Sequence, residues 1–141
     1  MNKEQEKRMN NVNELVRVIA NCGRYFFRHV DKESQEKTVG CFKSGLKTGR
    51  LYWFDEFKKK CLPMGRTDSQ KWRHNFSNGG TLKALIILLA GHIRTGKPIT
   101  AIYSSSGGNI SWGYDEASRT KVNDFAIEKG IYVNENDKVL R

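Results

Sequence analysis

The spacing of hydrophobic positions changes several times along the chain, and each change marks an element. From about Glu4 to Asn21, Met9, Val12, Leu15, Val16 and Ile19 recur at intervals of three and four, which gathers them on one face of a helix. Lys3, Glu4, Lys7, Arg8 and Arg17 fall on the opposite face, and Gly23 closes the helix. The interval then shortens to two. Segments of strand composition run over Arg24 to Val30, Thr38 to Ser44, Arg50 to Phe54 and Lys59 to Met64, with Tyr25, Phe27, Phe42, Tyr52 and Phe54 at even spacing. Lys47-Thr48-Gly49 supplies a turn between the second and third segments, so an antiparallel meander is the simple solution, and Gly65 to Ser69 reads as a loop.

Ser77-Asn78-Gly79-Gly80-Thr81 opens a second helix that continues to about Arg94. Leu82, Leu85, Ile86, Leu89 and Ile93 share a face that Ile87 and Leu88 widen, and a helix apolar over so much of its circumference is the central one. Gly96 and Pro98 end it. Ile99 to Tyr103 reads as a further strand and Ser104 to Asn109 as a flexible loop. The last helix spans about Tyr114 to Lys129, with Asp115 and Glu116 in its first turn, Val122, Phe125 and Ala126 on its buried face and Gly130-Ile131 as its C-cap. The expected fold is α+β: a small antiparallel β-meander of three to four strands packed on a central helix, with N- and C-terminal helices.

With 141 residues, 38% of them hydrophobic, the chain supports one ordinary core. One domain over 1–141 is expected, divided into an N-terminal helix (1–22), a basic sheet plus central helix (23–98) and a strand, loop and C-terminal helix (99–141). The most apolar run, Leu82 to Ala90, is too short to cross a membrane, and the polar start from Met1 to Arg8 is unlike a signal peptide. Cys22, Cys41 and Cys61 lack the close pairing of a metal site or a disulfide framework. No metal and no cofactor is expected, and a reducing cytoplasm, that of a bacterial host, is the expected compartment.

Charge sharpens this picture. The net charge is +10, and residues 37–97 hold thirteen Lys or Arg against Asp55, Glu56 and Asp68, so the middle of the chain carries the whole imbalance. Such a field attracts nucleic acid, nucleotides or an acidic protein face, although a solvated basic surface without a polyanionic ligand has the same composition.

The best-organised part of that segment is Lys71-Trp72-Arg73-His74-Asn75-Phe76-Ser77-Asn78-Gly79-Gly80-Thr81-Leu82-Lys83. Gly79 and Gly80 let the backbone approach a ligand, Ser77 and Thr81 offer hydroxyls, and the free N–H groups of a helix start attract anions. Lys71, Arg73 and Lys83 add charge, and Trp72 and Phe76 offer faces for a base. The spacing is not that of a P-loop. The bland alternative is a capped structural helix whose aromatics belong to the core. A second candidate is Lys58-Lys59-Lys60 with Arg50 and Arg66, placed to follow phosphates along a sheet edge, or simply lysines that keep an edge strand from aggregating. Ser104 to Asn109 with Trp112, Arg119 and Lys121 forms a third donor-rich region, or a plain connector.

The tract Arg50-Leu51-Tyr52-Trp53-Phe54-Asp55-Glu56, followed by Lys71-Trp72-Arg73, Phe76-Ser77-Asn78-Gly79-Gly80-Thr81-Leu82 and Trp112-Gly113-Tyr114, resembles a family of small phage and prophage accessory proteins. The resemblance covers roughly Leu15 to Ile131. It implies a phage accessory setting, in which proteins of this size often obstruct host defence, and it transfers no catalytic residue.

Enzymatic signals are weak. Glu56-Phe57-Lys58 matches half of a nuclease signature, but Asp55 and Glu56 are adjacent and point to opposite faces of a strand. His29, His74 and His92 sit on three different elements without triad or ligand spacing. The expectation is therefore a non-enzymatic protein that binds a phosphate-bearing polyanion, nucleic acid first. Two alternatives stay open. One is capture of a small nucleotide signal by Trp72, Arg73, Gly79, Gly80 and Arg119 across a homo-oligomer interface, and the other is docking on a host protein complex.

Overall fold

The computed structural model describes residues 1–21, 28–30, 37–45, 50–56, 59–64, 79–100 and 116–133, with backbone alone at 28–30, 37–39, 79–84, 100 and 119. The expected turn at Lys47-Thr48-Gly49, the loops Gly65 to Ser69 and Ser104 to Asn109, and the positions of Cys22, Tyr25, Phe27 and Trp112 lie outside the described residues.

Helix α1 runs over Lys3–Asn21 and buries Met9, Val12, Leu15, Val16, Ile19 and Ala20, the face that the spacing of three and four predicts. Its start is a reciprocal cap. The Gln5 amide N–H donates to Asn2 Oδ1 at 2.8 Å, and the Asn2 amide N–H donates to Gln5 Oε1 at 3.0 Å. Two of the free donors of a first turn are thereby satisfied, which stabilises a helix by about 1 kcal/mol. Glu4 and Glu6 add negative charge at the positive end of the helix dipole.

Strands β1 (Arg28–Val30) and β2 (Lys37–Val39) form an antiparallel pair, and β3 (Cys41–Ser44), β4 (Leu51–Asp55) and β5 (Lys60–Pro63) form the antiparallel meander in that order. The single segment expected over Thr38 to Ser44 is therefore two strands with different partners: residues 37–39 pair with β1 and residues 41–44 with β4. Gly40 separates them. A Cβ placed on Gly40 would lie 2.5 Å from Cζ2 of Trp53 and 2.9 Å from the Phe54 carbonyl oxygen. Only a residue without a side chain lets the two backbones come this close.

Alternation gives the meander two faces. Phe42, Trp53 and Leu62 stand opposite one another in register and are buried. The Phe42 and Trp53 rings meet edge to face with centroids 5.0 Å apart. The other face carries two cross-strand rows, Cys41, Phe54 and Cys61 in one and Lys43, Tyr52 and Pro63 in the next.

Helix α2 (Gly79–Thr95) buries Leu85, Ile86, Leu89, Ala90 and Ile93. Gly96, at φ +79, ends it by donating from its N–H to the His92 carbonyl at 2.8 Å. Helix α3 (Glu116–Glu128) ends in a Schellman motif: Ile131 N–H donates to the Ala126 carbonyl at 2.9 Å, Gly130 N–H donates to that of Ile127 at 3.0 Å, and Gly130 has φ +72. The cap expected at Gly130-Ile131 is thus present, and it launches a strand that periodicity did not reveal. Strand β7 (Tyr132–Val133) pairs in parallel with β6 (Ile99–Thr100), α3 providing the crossover that a parallel pair needs.

The class is α+β, with an antiparallel meander and terminal helices as expected. The contacts of α1 give it a central place too, since it touches α2, α3, β2 and β3. The N-terminal end of α1 closes the C-terminal end of α2. Arg8 donates from Nε to the Ile93 carbonyl at 2.9 Å, and Gln5 from Nε2 to the Arg94 carbonyl at 3.2 Å. A guanidinium at the negative end of α2 satisfies carbonyls that have no partner within the helix. Arg94 in turn donates from Nη1 to the Met64 carbonyl at 2.6 Å, tying α2 to the end of β5. Buried residues of all three helices and of β3 to β7 join one hydrophobic cluster.

Candidate functional site

Within residues 37–97 the described cations are exposed except Arg94, which is half-buried and bonded to the Met64 carbonyl. Lys43 on β3, Arg50 ahead of β4, Lys59 and Lys60 at the turn into β5 and Lys97 after α2 are all exposed. The described acids of the same stretch are not: Asp55, the last residue of β4, is 4% exposed, and Glu56 is half-buried. Glu56 Oε2 accepts from Lys59 Nζ at 2.6 Å, an exposed ion pair that contributes little to stability. Lys59 holds φ 56, a left-handed conformation that costs a non-glycine residue about 1–2 kcal/mol.

Among the described residues, Arg50 and Lys60, both singled out from sequence, do not sit together. Lys60 pairs in register with Asp55, at the far end of β4 from Arg50. Five residues of strand separate the two by about 17 Å. Lys60 and Pro63 are exposed on β5, an outer strand of the meander. A lysine and a proline there are what an edge protected from further pairing carries, and they also suit an edge that follows phosphates. Lys58 and Arg66 lie outside the described residues.

Of the helix-start candidates, Gly79, Gly80, Thr81 and Lys83 belong to the first turns of α2, whose first turn contains no acidic residue. The N–H groups of this end therefore keep their partial positive charge without an acid from their own turn. Lys71, Trp72, Arg73 and Ser77 lie outside the described residues. Arg119 and Lys121 belong to α3, and Lys121 is exposed.

Periodicity did not single out the outer face of the meander. Lys43 Nζ lies 4.3 Å from the centroid of the Phe54 ring, within cation–π range. Tyr52 and Phe54 are half-buried there, Cys41 is half-buried and Cys61 exposed. The signal was available in Tyr52-Trp53-Phe54: three consecutive aromatics on a strand must place at least one on each face.

Burial pushes the Cys41 thiol above its ordinary pKa, against the nearby Lys43, so it is a poor nucleophile. Burial likewise lowers the pKa of His92. Arg8 lowers it further, and the hydrogen bond with the Lys97 carbonyl, 2.9 Å from Nδ1, opposes both. A neutral imidazole donating from Nδ1 to that carbonyl fits, which makes His92 a structural link across the α2 cap. Among the described residues no three of His, Cys, Asp and Glu stand together as metal ligands, and no helix is long and apolar enough to cross a membrane. A cavity of about 190 Å³ lies between Met1, Gln5, Arg50, Leu51, Met64, Ile93 and Arg94. It is smaller than the roughly 300 Å³ at which ligand pockets begin.

No curated protein and no solved structure matches the chain. The YoqU family, whose name is of the kind given to Bacillus phage and prophage genes, matches residues 2–141. The match covers nearly the whole chain, so the chain belongs to the YoqU family.

Proposed function

We propose that the protein is a non-catalytic phage accessory factor that binds a phosphate-bearing polyanion, nucleic acid in the first place, in the service of the phage against host defence. One observation carries this reading. In the basic segment the described cations Lys43, Arg50, Lys59, Lys60 and Lys97 are exposed and Arg94 is half-buried, whereas Asp55 is buried and Glu56 is half-buried and bonded to Lys59. The exposed cations give a net charge of +10 an outward field, which attracts phosphates over a Debye length of about 8 Å at physiological salt.

Cations spread over about 17 Å of strand suit a polymer better than a mononucleotide, because each phosphate of a chain meets a different side chain. Gly79, Gly80, Thr81 and Lys83 at the α2 start supply a further anion-attracting end. Lys71, Arg73 and Trp72, next to that end in sequence, belong to the same reading.

Fluorescence anisotropy with labelled single- and double-stranded oligonucleotides across a salt series tests it. Binding that weakens steeply between 50 and 200 mM salt is expected, since each neutralised phosphate releases counterions. Absence of binding to both forms at low salt rules the reading out.

A further inference from the structure

We infer that the outer face of the β3–β4–β5 meander takes single-stranded nucleic acid, with Phe54 and Tyr52 as stacking platforms and Lys43 as the adjoining phosphate contact. This rests on the polyanion reading above and assigns it a surface and a strand state.

The solvent side of a one-faced antiparallel sheet is ordinarily polar. Here the two outward rows consist of Cys41, Phe54 and Cys61, then Lys43, Tyr52 and Pro63, so the only charged group in them is a cation. Tyr52 and Phe54 retain solvent exposure on this face while Trp53 between them is 1% exposed. The chain thus spends two of the three aromatics of β4 away from its core. Lys43 Nζ, 4.3 Å from the Phe54 centroid, already uses the negative face of that ring for a positive charge. A base has the same use for it by stacking, and an ammonium displaced by the base stays within reach of the attached phosphate.

Spacing selects the strand state. Tyr52 and Phe54 are two residues apart on one strand, about 7 Å, which is twice the 3.4 Å rise per nucleotide of a duplex strand. Consecutive bases can occupy both rings only when the nucleic acid is extended and unpaired. Charge decides between occupants: an apolar protein partner leaves Lys43 desolvated and without an anion, whereas a polynucleotide supplies both a ring and a phosphate. Arg50, two residues ahead of Tyr52, is exposed at that end of β4.

The face carries its own reporter. Cys61 is exposed and stands directly beside Phe54 in register, so a bound strand must shield it. The test compares binding of a labelled 12-nucleotide dT oligomer and of a 12-base-pair duplex to the wild type, Phe54→Leu, Tyr52→Leu and Lys43→Ala. The rate of maleimide labelling of wild-type Cys61, read by peptide mass spectrometry, is measured with and without saturating oligomer. Tighter binding of the single strand, about tenfold weakening on loss of either ring and several-fold slower Cys61 labelling are expected. Wild-type binding that leaves Cys61 labelling unchanged overturns the inference while the polyanion reading stands, and needs no variant to fold. Wild-type binding to neither nucleic acid overturns both.

Discussion

Asn13 on α1 holds Phe42 on β3 by both of its backbone polar groups. The side-chain Nδ2 donates to the Phe42 carbonyl at 3.0 Å, and the Phe42 N–H donates to Asn13 Oδ1 at 2.7 Å. A primary amide presents the same donor and acceptor as a peptide group, so a helix side chain stands where a neighbouring strand would pair. β3 is an outer strand of the meander, and this contact both docks the sheet on α1 and occupies part of an edge open to foreign strands.

Asn13→Ala should lower stability by about 1–3 kcal/mol, because two part-buried backbone groups lose their partner. Asn13→Asp keeps the acceptor, loses the donor and should fall between alanine and wild type. Urea midpoints at neutral pH measure both, and an unchanged midpoint for Asn13→Ala would mean that the contact contributes nothing.

Two glycines should respond to alanine with opposite signs. Gly40→Ala brings a Cβ to 2.5 Å from Trp53 and 2.9 Å from the Phe54 carbonyl oxygen, an overpacking expected to cost about 2–3 kcal/mol. A Cβ on Gly91, within α2, meets nothing within 4 Å, so Gly91→Ala should stabilise by about 0.5–1 kcal/mol through helix propensity and chain entropy. Thermal unfolding of the pair checks the contrast.

Burial and the neighbouring Arg8 depress the His92 pKa, the Lys97 carbonyl bond acting against them. The folded state then binds a proton less readily than the unfolded chain. The contribution of neutral His92 is complete above its ordinary value of about 6.5 and is lost as pH falls from there through the lowered folded value. Subtracting the stability of His92→Gln from that of the wild type between pH 5 and 8 should leave a difference that grows with pH up to about 6.5 and then levels. A difference independent of pH contradicts the assignment.

Cys61 should react with a maleimide well ahead of Cys41, which is half-buried and has a raised thiol pKa. The two flank Phe54 on strands either side of β4, which sets their Cα atoms about 9.5 Å apart, beyond the roughly 7 Å limit for a disulfide. Mild oxidation of the native protein should therefore leave them unlinked, as peptide mass spectrometry would show.

Much of the secondary structure is legible in the order of residue types. The spacing of Met9, Val12, Leu15, Val16 and Ile19 settles α1 and its buried face because a helix repeats every 3.6 residues whatever it packs against. Gly96 and Gly130 mark helix ends for an equally local reason, their positive φ. The excess of Lys and Arg over residues 37–97 is likewise a property of composition.

Tertiary structure decided what depends on a partner distant in sequence. Periodicity gives β4 two faces but does not say that Trp53 turns inward while Tyr52 and Phe54 turn out, since all three are strand-forming aromatics and only the position of α1 and Phe42 distinguishes the sides. Gly40 reads as a lapse in one strand until Trp53 and Phe54 arrive against it, and β7 is too short to announce itself without Ile99 to pair with. The basic segment carries its charge in the sequence. Its outward direction, with Asp55 buried and Glu56 held by Lys59, is a product of folding, because burial and ion pairing belong to positions in space and not to positions along a chain.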